Sequence, residues 1–353
     1  MTVTVQSAIR FGIHPPVPVE GRVVSVYVSN GPERQPVCVD VFRGPQALAP
    51  ELRLEIPLDA DGRGLCEWRV PGWDFVHFGL GGVRVSRAVM RRPTVARRFA
   101  RLLSKASLAL EFVDGGAGAE YGVGRRDRAR LLRRIRRINR ALHPLSTPRQ
   151  HLRLAEEVLR IPPTIPGAVV ECGCYGGGST ATLSLACAAT GRELYVCDSF
   201  EGLPPNEHWN RLTDGSVTRW GTGELASPGS LEGVRWNVAR HGDVSVCRFV
   251  PGFFDRTLPE LPCREVAMVF EDADLVSSVQ DCVRYLWPKL QPGCKFFSHE
   301  PWSVDIVAMF FDDAFWRESV GGPAPGFVGS GGAGTDGGRY QIPGLGYAVK
   351  DAG

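Results

Sequence analysis

The stretch IPGAVVECGCYGGGST, residues 165–180, decides the fold class of this chain. Its apolar run at 168–172 predicts a buried β-strand, and the glycines at 176–178 predict a tight turn into a helix. Glycines at such a turn let backbone amides approach a ligand at the helix N-terminus. The spacing differs from the GxGxxG dinucleotide fingerprint, and the Lys-Ser/Thr pair of a phosphate-binding P-loop is missing. Both nucleotide interpretations are therefore disfavoured.

Outward from this stretch, apolar strands and helices alternate towards the C-terminus. The strand candidates after 168–174 are ELYVCDS (193–199), VSVCRFV (244–250), VAMVFEDAD (266–274) and KFFSHE (295–300). Helical segments such as 179–190, 278–290 and 304–319 separate them. This alternation predicts an α/β fold, a Rossmann-like, mostly parallel doubly wound sheet covered on both faces. LGYAVK (345–350) can add an edge strand.

The region before this fold divides into two further parts. Residues 22–30, 36–44 and 52–59 alternate apolar and polar side chains at period two and are separated by turn clusters. They predict a β-rich, sandwich-like accessory domain over residues 1–90. A basic helical connector at 91–145 and the α/β domain at 146–353 complete the predicted division.

Charge is segregated along the chain, although its sum is nearly neutral. The chain has 353 residues, with 41 Lys+Arg and 38 Asp+Glu. Residues 84–140 alone carry a net charge of +13, which leaves −10 for the rest. Within 125–142 an apolar stripe runs along an Arg-covered helix. This helix is either a connector packed on the catalytic domain or a dock for a phosphate-bearing substrate, nucleic acid or an anionic membrane. Because no aromatic residues interleave the arginines, nucleic acid is the less favoured partner.

Composition excludes several broad classes. With 43% hydrophobic and 22% charged residues, the chain resembles an ordinary globular protein rather than a disordered one. No apolar run is long enough for a transmembrane helix, and the N-terminus does not resemble a secretion signal. The ten cysteines are scattered without a CxxC pair. We therefore expect reduced thiols and a cytoplasmic location, and we expect the chain to form a homo-oligomer.

Asp198 sharpens the ligand prediction. It lies 27 residues after Glu171, at the end of the second strand of the fold, where a carboxylate can accept both hydroxyl groups of a ribose. Acidic residues at the ends of two strands around a glycine turn suit an adenosine without a pyrophosphate. S-adenosyl-L-methionine is such a ligand. The alternative is a plain α/β domain in which Asp198 is a loop residue that binds no ligand.

Five sequence blocks follow one another in a characteristic order along the chain. They are IPGAVVECGCYGGGST, YVCDSFEGLPP, FVPGFFDRTLPE, VFEDADLVSS and YLWPKLQPGCKFFSHE. Over about residues 148–300 the chain resembles the macrocin O-methyltransferase family, which methylates sugar hydroxyls of natural products in antibiotic biosynthesis. The resemblance implies a class I methyltransferase fold, an S-adenosyl-L-methionine cofactor and a divalent metal beside the acceptor hydroxyl. Residues 1–90 lie outside the family pattern.

The resemblance also implies roles for individual residues. The methionine portion of the cofactor would lie against Glu171, Gly173, Tyr175, Gly177, Gly178 and Ser179. The ribose would contact Asp198 and Ser199, and the adenine would contact Gly252 and Phe253. The segment 199–222, with Phe200, His208 and Trp209, corresponds to a lid over the acceptor.

At the implied metal site the sequence departs from the family pattern. Asp272-Ala-Asp274 fits the first acidic block, but His299-Glu300 replaces the second Asp pair. Asp272, His299 and Glu300 can hold Mg²⁺ or a softer metal such as Mn²⁺, Fe²⁺ or Zn²⁺, although a histidine ligand is unusual for magnesium. Alternatively, the site is metal-free and His299 acts as general base on the acceptor hydroxyl. As a third alternative, methyl transfer is lost.

The function that these residues predict is an S-adenosylmethionine-dependent O-methyltransferase. Asp272 and His299 are its predicted catalytic residues, and its acceptor is a sugar or other hydroxyl of a specialised metabolite. The alternative is an S-adenosylmethionine-binding domain that no longer methylates. An enzyme or binder that acts on nucleic acid through the basic segment is the third hypothesis.

Overall fold

The structure of the chain is a computed structural model. It describes residues 10–14, 23–29, 37–42, 52–58, 60, 64–69, 75–80, 83–88, 107–206, 208–213, 217–227, 230–329, 335–337, 340–342 and 344–351. The chain forms two compact units, one of residues 1–100 with 214–218, and one of residues 101–213 with 219–353.

The first unit is built of antiparallel β-strands. Its strands are β1 (Arg10–His14), β2 (Val23–Ser29), β3 (Val37–Phe42), β4 (Leu52–Ile56), β5 (Gly64–Arg69), β6 (Phe75–Leu80) and β7 (Val83–Ala88). They form a three-stranded sheet β1-β2-β5 and a four-stranded sheet β4-β3-β6-β7. Val39, Val41, Leu54 and Ile56 are buried at alternating positions of β3 and β4, as the period-two pattern predicts. The prediction of a β-rich unit is confirmed.

The second unit contains a six-stranded sheet. Its strands are β8 (Ala168–Cys172), β9 (Leu194–Asp198), β12 (Cys247–Pro251), β13 (Val266–Glu271), β14 (Leu290–Ser298) and β17 (Gly346–Val349). Their order is β12-β9-β8-β13-β14-β17, with β17 the antiparallel strand at one edge. The remaining short strands are β10 (Asn210–Arg211), β11 (Val217–Thr218), β15 (Thr335–Gly337) and β16 (Tyr340–Ile342). The predicted parallel sheet and its edge strand are confirmed.

Helices cover both faces of this sheet. They are α1 (107–114), α2 (Arg125–Leu142), α3 (Pro148–Arg160), α4 (Gly178–Thr190), α5 (Ser230–His241), α6 (Phe254–Thr257), α7 (Val276–Leu286), α8 (Val304–Met309) and α9 (Asp313–Val320). One apolar core joins α1–α5 to one face of the sheet, and a second core joins α6–α9 to the other. The doubly wound α/β prediction is therefore confirmed. Among the described residues, no helix is both long and apolar enough to cross a bilayer.

The Arg-rich helix α2 packs into the core of the second unit. Leu132, Ile135 and Ile138 are buried against it, while most of its arginines are exposed. Arg128 is the exception, since its buried guanidinium donates to the carbonyls of Val113, Ala117 and Val123. The apolar stripe of α2 is thus a packing surface, and the predicted domain limits at 90 and 145 stay a prediction.

Candidate active site

A cavity of about 590 Å³ opens at the carboxyl ends of the parallel strands. Gly173 follows β8, Asp198 ends β9, Asp272 follows β13 and His299 follows β14, and all four line this cavity. Parallel strands end at one edge of the sheet, so residues far apart in sequence meet there. The volume lies in the range of small-molecule sites.

The turn between β8 and α4 depends on glycine at two positions. Gly173 has a φ of +89°, and a Cβ at this position would overlap the Asp272 carbonyl oxygen. Its N–H donates to the Cys197 carbonyl at 2.9 Å, so the end of β8 is held between both neighbouring strands. Gly177, with a φ of +78°, is the N-cap of α4. Only glycine combines these conformations with such close backbone approach.

Asp198 is held by backbone groups on both sides. One carboxylate oxygen accepts the Cys174 N–H at 2.7 Å, and the other accepts the Phe200 N–H at 2.7 Å. Each oxygen retains a further lone pair for a ligand. The neighbouring Ser199 hydroxyl donates to the Gly202 carbonyl at 2.7 Å. The Asp198 carboxylate is therefore fixed in orientation at the cavity wall.

Glu171 lies below the glycine turn. It is fully buried and does not belong to the cavity lining. Burial raises its pKa to about 8, and the nearby hydroxyls of Ser179 and Thr180 oppose that shift in part. A carboxyl group with this pKa is largely protonated at neutral pH.

The remaining predicted cofactor residues divide into two groups. Tyr175, Gly178, Ser179, Ser199 and Phe253 line the cavity together with Gly173 and Asp198. Gly177 and Gly252 do not line it. Gly252, with a φ of +137°, donates its N–H to the Asp198 carbonyl and so shapes the backbone at the end of β12.

At the ends of the neighbouring strands β13 and β14, Asp272, His299 and Glu300 come together. One ligand atom from each lies within 4.8 Å of the other two. The His299 Nδ1 is 3.0 Å from the Asp272 Oδ1. Glu300 is only 1% exposed, and neither of its carboxylate oxygens has a hydrogen-bond partner in the described part of the chain.

The electrostatics of this group show concentrated negative charge. Burial would lower the pKa of His299, but the Asp272 carboxylate outweighs burial and raises the pKa to about 8. Burial, reinforced by neighbouring carboxylates, raises the pKa of Glu300 and of Asp274 well above the usual range. An isolated buried carboxylate is costly unless a cation, a proton or hydrogen-bond donors compensate it. One imidazole and two carboxylates are a donor set that fits a divalent cation.

Two tryptophans and the lid segment complete the wall. Trp220, with Leu203, Pro204 and Pro205, comes from the lid region, and Trp302 follows His299-Glu300. The Trp302 Nε1 donates to the His299 carbonyl at 3.0 Å, whereas the buried Trp220 Nε1 has no acceptor among the described residues. The Asn210 amide donates to the Asp274 carbonyl at 3.0 Å and thereby ties the lid segment to the acidic loop.

The side chains that the sequence suggested for the lid lie elsewhere. Phe200 is 5% exposed in the core, Trp209 is 46% exposed, and His208 is exposed; these three do not line the cavity. Phe200 has a φ of +59° because its N–H turns back to Asp198. Trp220 and Trp302 were not singled out from the sequence. Trp220 lies within the predicted lid segment 199–222, and Trp302 lies two residues after Glu300, so their position in the sequence was the available signal.

Comparison with known proteins identifies relatives of this chain. A family model described as Macrocin-O-methyltransferase (TylF) matches residues 149–300. The 8-demethyl-8-(2,3-dimethoxy-alpha-L-rhamnosyl)-tetracenomycin-C 4'-O-methyltransferase of Streptomyces olivaceus is 34% identical over 173 residues, which cover 47% of this chain and 65% of that protein. The mycinamicin III 3''-O-methyltransferase of Micromonospora griseorubida is 31% identical over 179 residues, or 44% of this chain and 70% of the relative.

Among solved structures, the O-methyltransferase NovP aligns with 57% of this chain and 79% of its own. The identity is 23% and the TM-score is 0.43.

Proposed function

This chain belongs to the macrocin O-methyltransferase family, and we propose that it is an S-adenosylmethionine-dependent O-methyltransferase whose acceptor is a sugar hydroxyl of a specialised metabolite. One observation carries the proposal. A single cavity is lined by a glycine turn and a fixed aspartate after β8 and β9, and by three convergent metal-ligand side chains after β13 and β14. The acceptor class follows the relatives, one of which is named for a rhamnosyl-bearing tetracenomycin.

We call the first part of this lining the cofactor end, formed by Gly173, Cys174, Ser179, Asp198 and Phe253. When bound, S-adenosylmethionine supplies an electrophilic methyl group on a sulfonium sulfur. Asp198 accepts hydroxyl groups of the ribose, and the turn at the start of α4 offers backbone N–H groups to the methionine carboxylate. Phe253 provides an apolar surface for the adenine.

We call the second part the metal end, formed by Asp272, His299 and Glu300. These three residues would hold a divalent cation, which would supply Lewis-acid activation of the acceptor hydroxyl. The buried Glu300 carboxyl group, which has no hydrogen-bond partner among the described residues, favours this function for the site over a metal-free one. A His299–Asp272 pair acting as general base would use two of the three groups and would leave the buried Glu300 carboxyl group without a partner.

The chain's contribution to methyl transfer is orientation and the exclusion of water. The acceptor oxygen has to lie in line with the methyl carbon, about 3 Å away, before its proton leaves. Leu203, Trp220, Leu225 and Trp302 provide apolar wall area that excludes water from the reacting groups. The Trp220 Nε1 has no hydrogen-bond acceptor among the described residues, and we assign it as a donor to an acceptor hydroxyl.

Two measurements test the proposal. Calorimetric titration of the purified chain with S-adenosylmethionine should show saturable binding, and the absence of binding would overturn the proposal. Release of S-adenosylhomocysteine should then appear with members of a panel of glycosylated polyketides. Binding without release across that panel would support instead a domain that binds the cofactor without methylating.

We further propose a reducing, cytoplasmic location and a homo-oligomeric state. Eight of the ten cysteines are buried and unpaired, as expected for a protein that keeps its thiols reduced. Light scattering coupled to size-exclusion chromatography measures the oligomeric state directly.

A further inference from the structure

The metal end contains one imidazole nitrogen among its carboxylate oxygens. We propose that this site selects a first-row transition metal, such as Mn²⁺, Fe²⁺ or Zn²⁺, over Mg²⁺, and that His299 determines the choice. The inference rests on the proposed metal end and deepens it, because it names the class of ion and the selecting residue.

Strand register brings the three ligands together. Glu271 at the end of β13 pairs with Ser298 at the end of β14, so Asp272 and His299 follow as direct neighbours. The His299 N–H donates to the Glu271 carbonyl at 2.9 Å, which fixes the backbone at this point. The Glu300 N–H donates to the Ser298 hydroxyl at 3.1 Å. These two hydrogen bonds position the loop that carries His299 and Glu300.

Glu300 supplies the second, independent indication of a cation. Its side chain is 99% buried, and both oxygens lack hydrogen-bond partners among the residues that the structure describes. The group also lies within 4.8 Å of the ligand atoms of Asp272 and His299. A bound cation would compensate the carboxylates that the fold brings together here.

The donor set then discriminates between ions. Magnesium demands near-ideal octahedral oxygen coordination and keeps several of its waters. Imidazole suits zinc, copper, iron and nickel, and affinity for a mixed nitrogen and oxygen site rises from manganese towards copper. His299 therefore contributes more to the binding of Mn²⁺, Fe²⁺ or Zn²⁺ than to that of Mg²⁺. Three protein ligands also leave coordination positions for an acceptor oxygen.

The first experiment measures metal affinity on the full chain after chelation. We expect Mn²⁺ and Zn²⁺ to bind at least about 100-fold more tightly than Mg²⁺ in calorimetric titrations. His299→Asp replaces the nitrogen by oxygen and should reduce this preference to less than about 10-fold. Equal affinity of the unaltered protein for Mn²⁺ and Mg²⁺ would overturn the inference. If His299→Asp does not fold, as judged by circular dichroism, His299→Asn replaces it.

The second experiment observes the ligand itself. Pulsed electron paramagnetic resonance of the Mn²⁺-loaded protein should show coupling to a directly bound ¹⁴N nucleus, and His299→Asp should abolish it. His151→Gln is the matched control, because His151 is a second buried histidine that interacts electrostatically with His299. This control should keep the nitrogen signal. Bound Mn²⁺ without ¹⁴N coupling in the unaltered protein would overturn the role of His299.

Titration with S-adenosylmethionine on the same samples separates the two proposals. Retained cofactor binding without metal preference contradicts the metal inference alone. If the unaltered protein does not bind S-adenosylmethionine, the proposed function itself is contradicted.

Discussion

At the cofactor end, the Asp198 carboxylate accepts two backbone N–H groups at 2.7 Å each, whereas at the metal end the Glu300 carboxylate has no partner in the described part of the chain. Both ends occupy the same edge of the same sheet. Backbone groups of the chain thus hold the cofactor end together.

The metal end has the opposite character. Burial, reinforced by neighbouring carboxylates, raises the pKa of Glu300 well above its usual range, and neither Glu300 oxygen has a hydrogen-bond donor among the described residues. Burying an ion without compensation costs on the order of several kcal/mol. The comparison shows that hydrogen bonds formed on folding stabilise the Asp198 carboxylate at the cofactor end. At the metal end, a cation or protons are needed to compensate the buried carboxylates. Changes at the two ends should therefore have separable effects.

The largest effect is expected from Asp272→Asn at the metal end. Loss of this charge should reduce kcat/KM for methyl transfer about 10³-fold, equivalent to about 4 kcal/mol. The affinity for S-adenosylmethionine should change less than about twofold, since Asp272 is not assigned to the cofactor. Steady-state release of S-adenosylhomocysteine and calorimetry measure the two quantities. A parallel loss of cofactor affinity would show that the two ends are not separable.

Gly173→Ala tests the backbone contact between the ends. The new Cβ would overlap the Asp272 carbonyl at a positive φ, so the free energy of unfolding should fall by at least about 3 kcal/mol. Gly191→Ala is the matched control, because Gly191 has a similar φ of +68° but no described neighbour within 4 Å of the added Cβ. It should cost about 1 kcal/mol. Chemical denaturation compares the two, and equal costs would contradict the close approach of β8 and β13.

The buried side chain of His151 should make the stability of the folded state sensitive to acid. It is fully buried, and its ring contacts the hydroxyls of Ser146 and Thr182. Burial, with the charge of His299, lowers its pKa to about 4. The unfolded chain binds the proton near pH 6.5, so the folded state should lose up to about 3 kcal/mol as the pH falls from 6.5 through 4.

Denaturation at a series of pH values measures this loss. His151→Gln should remove it, and the comparison with the unaltered protein cancels the opposite contributions of buried carboxyls such as Glu171. Identical pH profiles of the two proteins would refute the buried neutral histidine.

The smallest effect is expected from Asp198→Ala at the cofactor end. Loss of a charged acceptor should weaken S-adenosylmethionine binding about 30-fold, or about 2 kcal/mol. Metal affinity should stay unchanged, which completes the comparison with Asp272→Asn. Asp198→Asn, which keeps one oxygen acceptor, should lose less. Unchanged cofactor affinity in Asp198→Ala would remove the proposed ribose contact.

The positions of Asp198 and Asp272 at one edge were predictable from the sequence. Apolar runs bounded by turns predict the parallel strands, and parallel strands place their carboxyl ends together. The glycine turn at 173–178 was predictable because Gly173 and Gly177 have positive φ angles that glycine adopts more readily than other residues. These features depend on local pattern and on a topological rule, both of which are visible in one sequence.

The direction of a side chain was not predictable in the same way. Phe200, His208 and Trp209 do not line the cavity, whereas Trp220 and Trp302 do. Glu171 lies within the apolar run 168–172 but is fully buried and does not line the cavity. Backbone dihedral angles and packing against distant elements set these directions, and neither is encoded in spacing along the chain.

By itself, the sequence determined the α/β fold, the strand ends that meet in the cavity and the family to which the chain belongs. Only the tertiary structure decided that Asp272, His299 and Glu300 lie within 4.8 Å of one another while Asp198 is fixed by backbone N–H groups. The physical reason is strand register. Pairing of Glu271 with Ser298 makes neighbours of residues 27 positions apart, and burial then removes the water that would otherwise solvate Glu300.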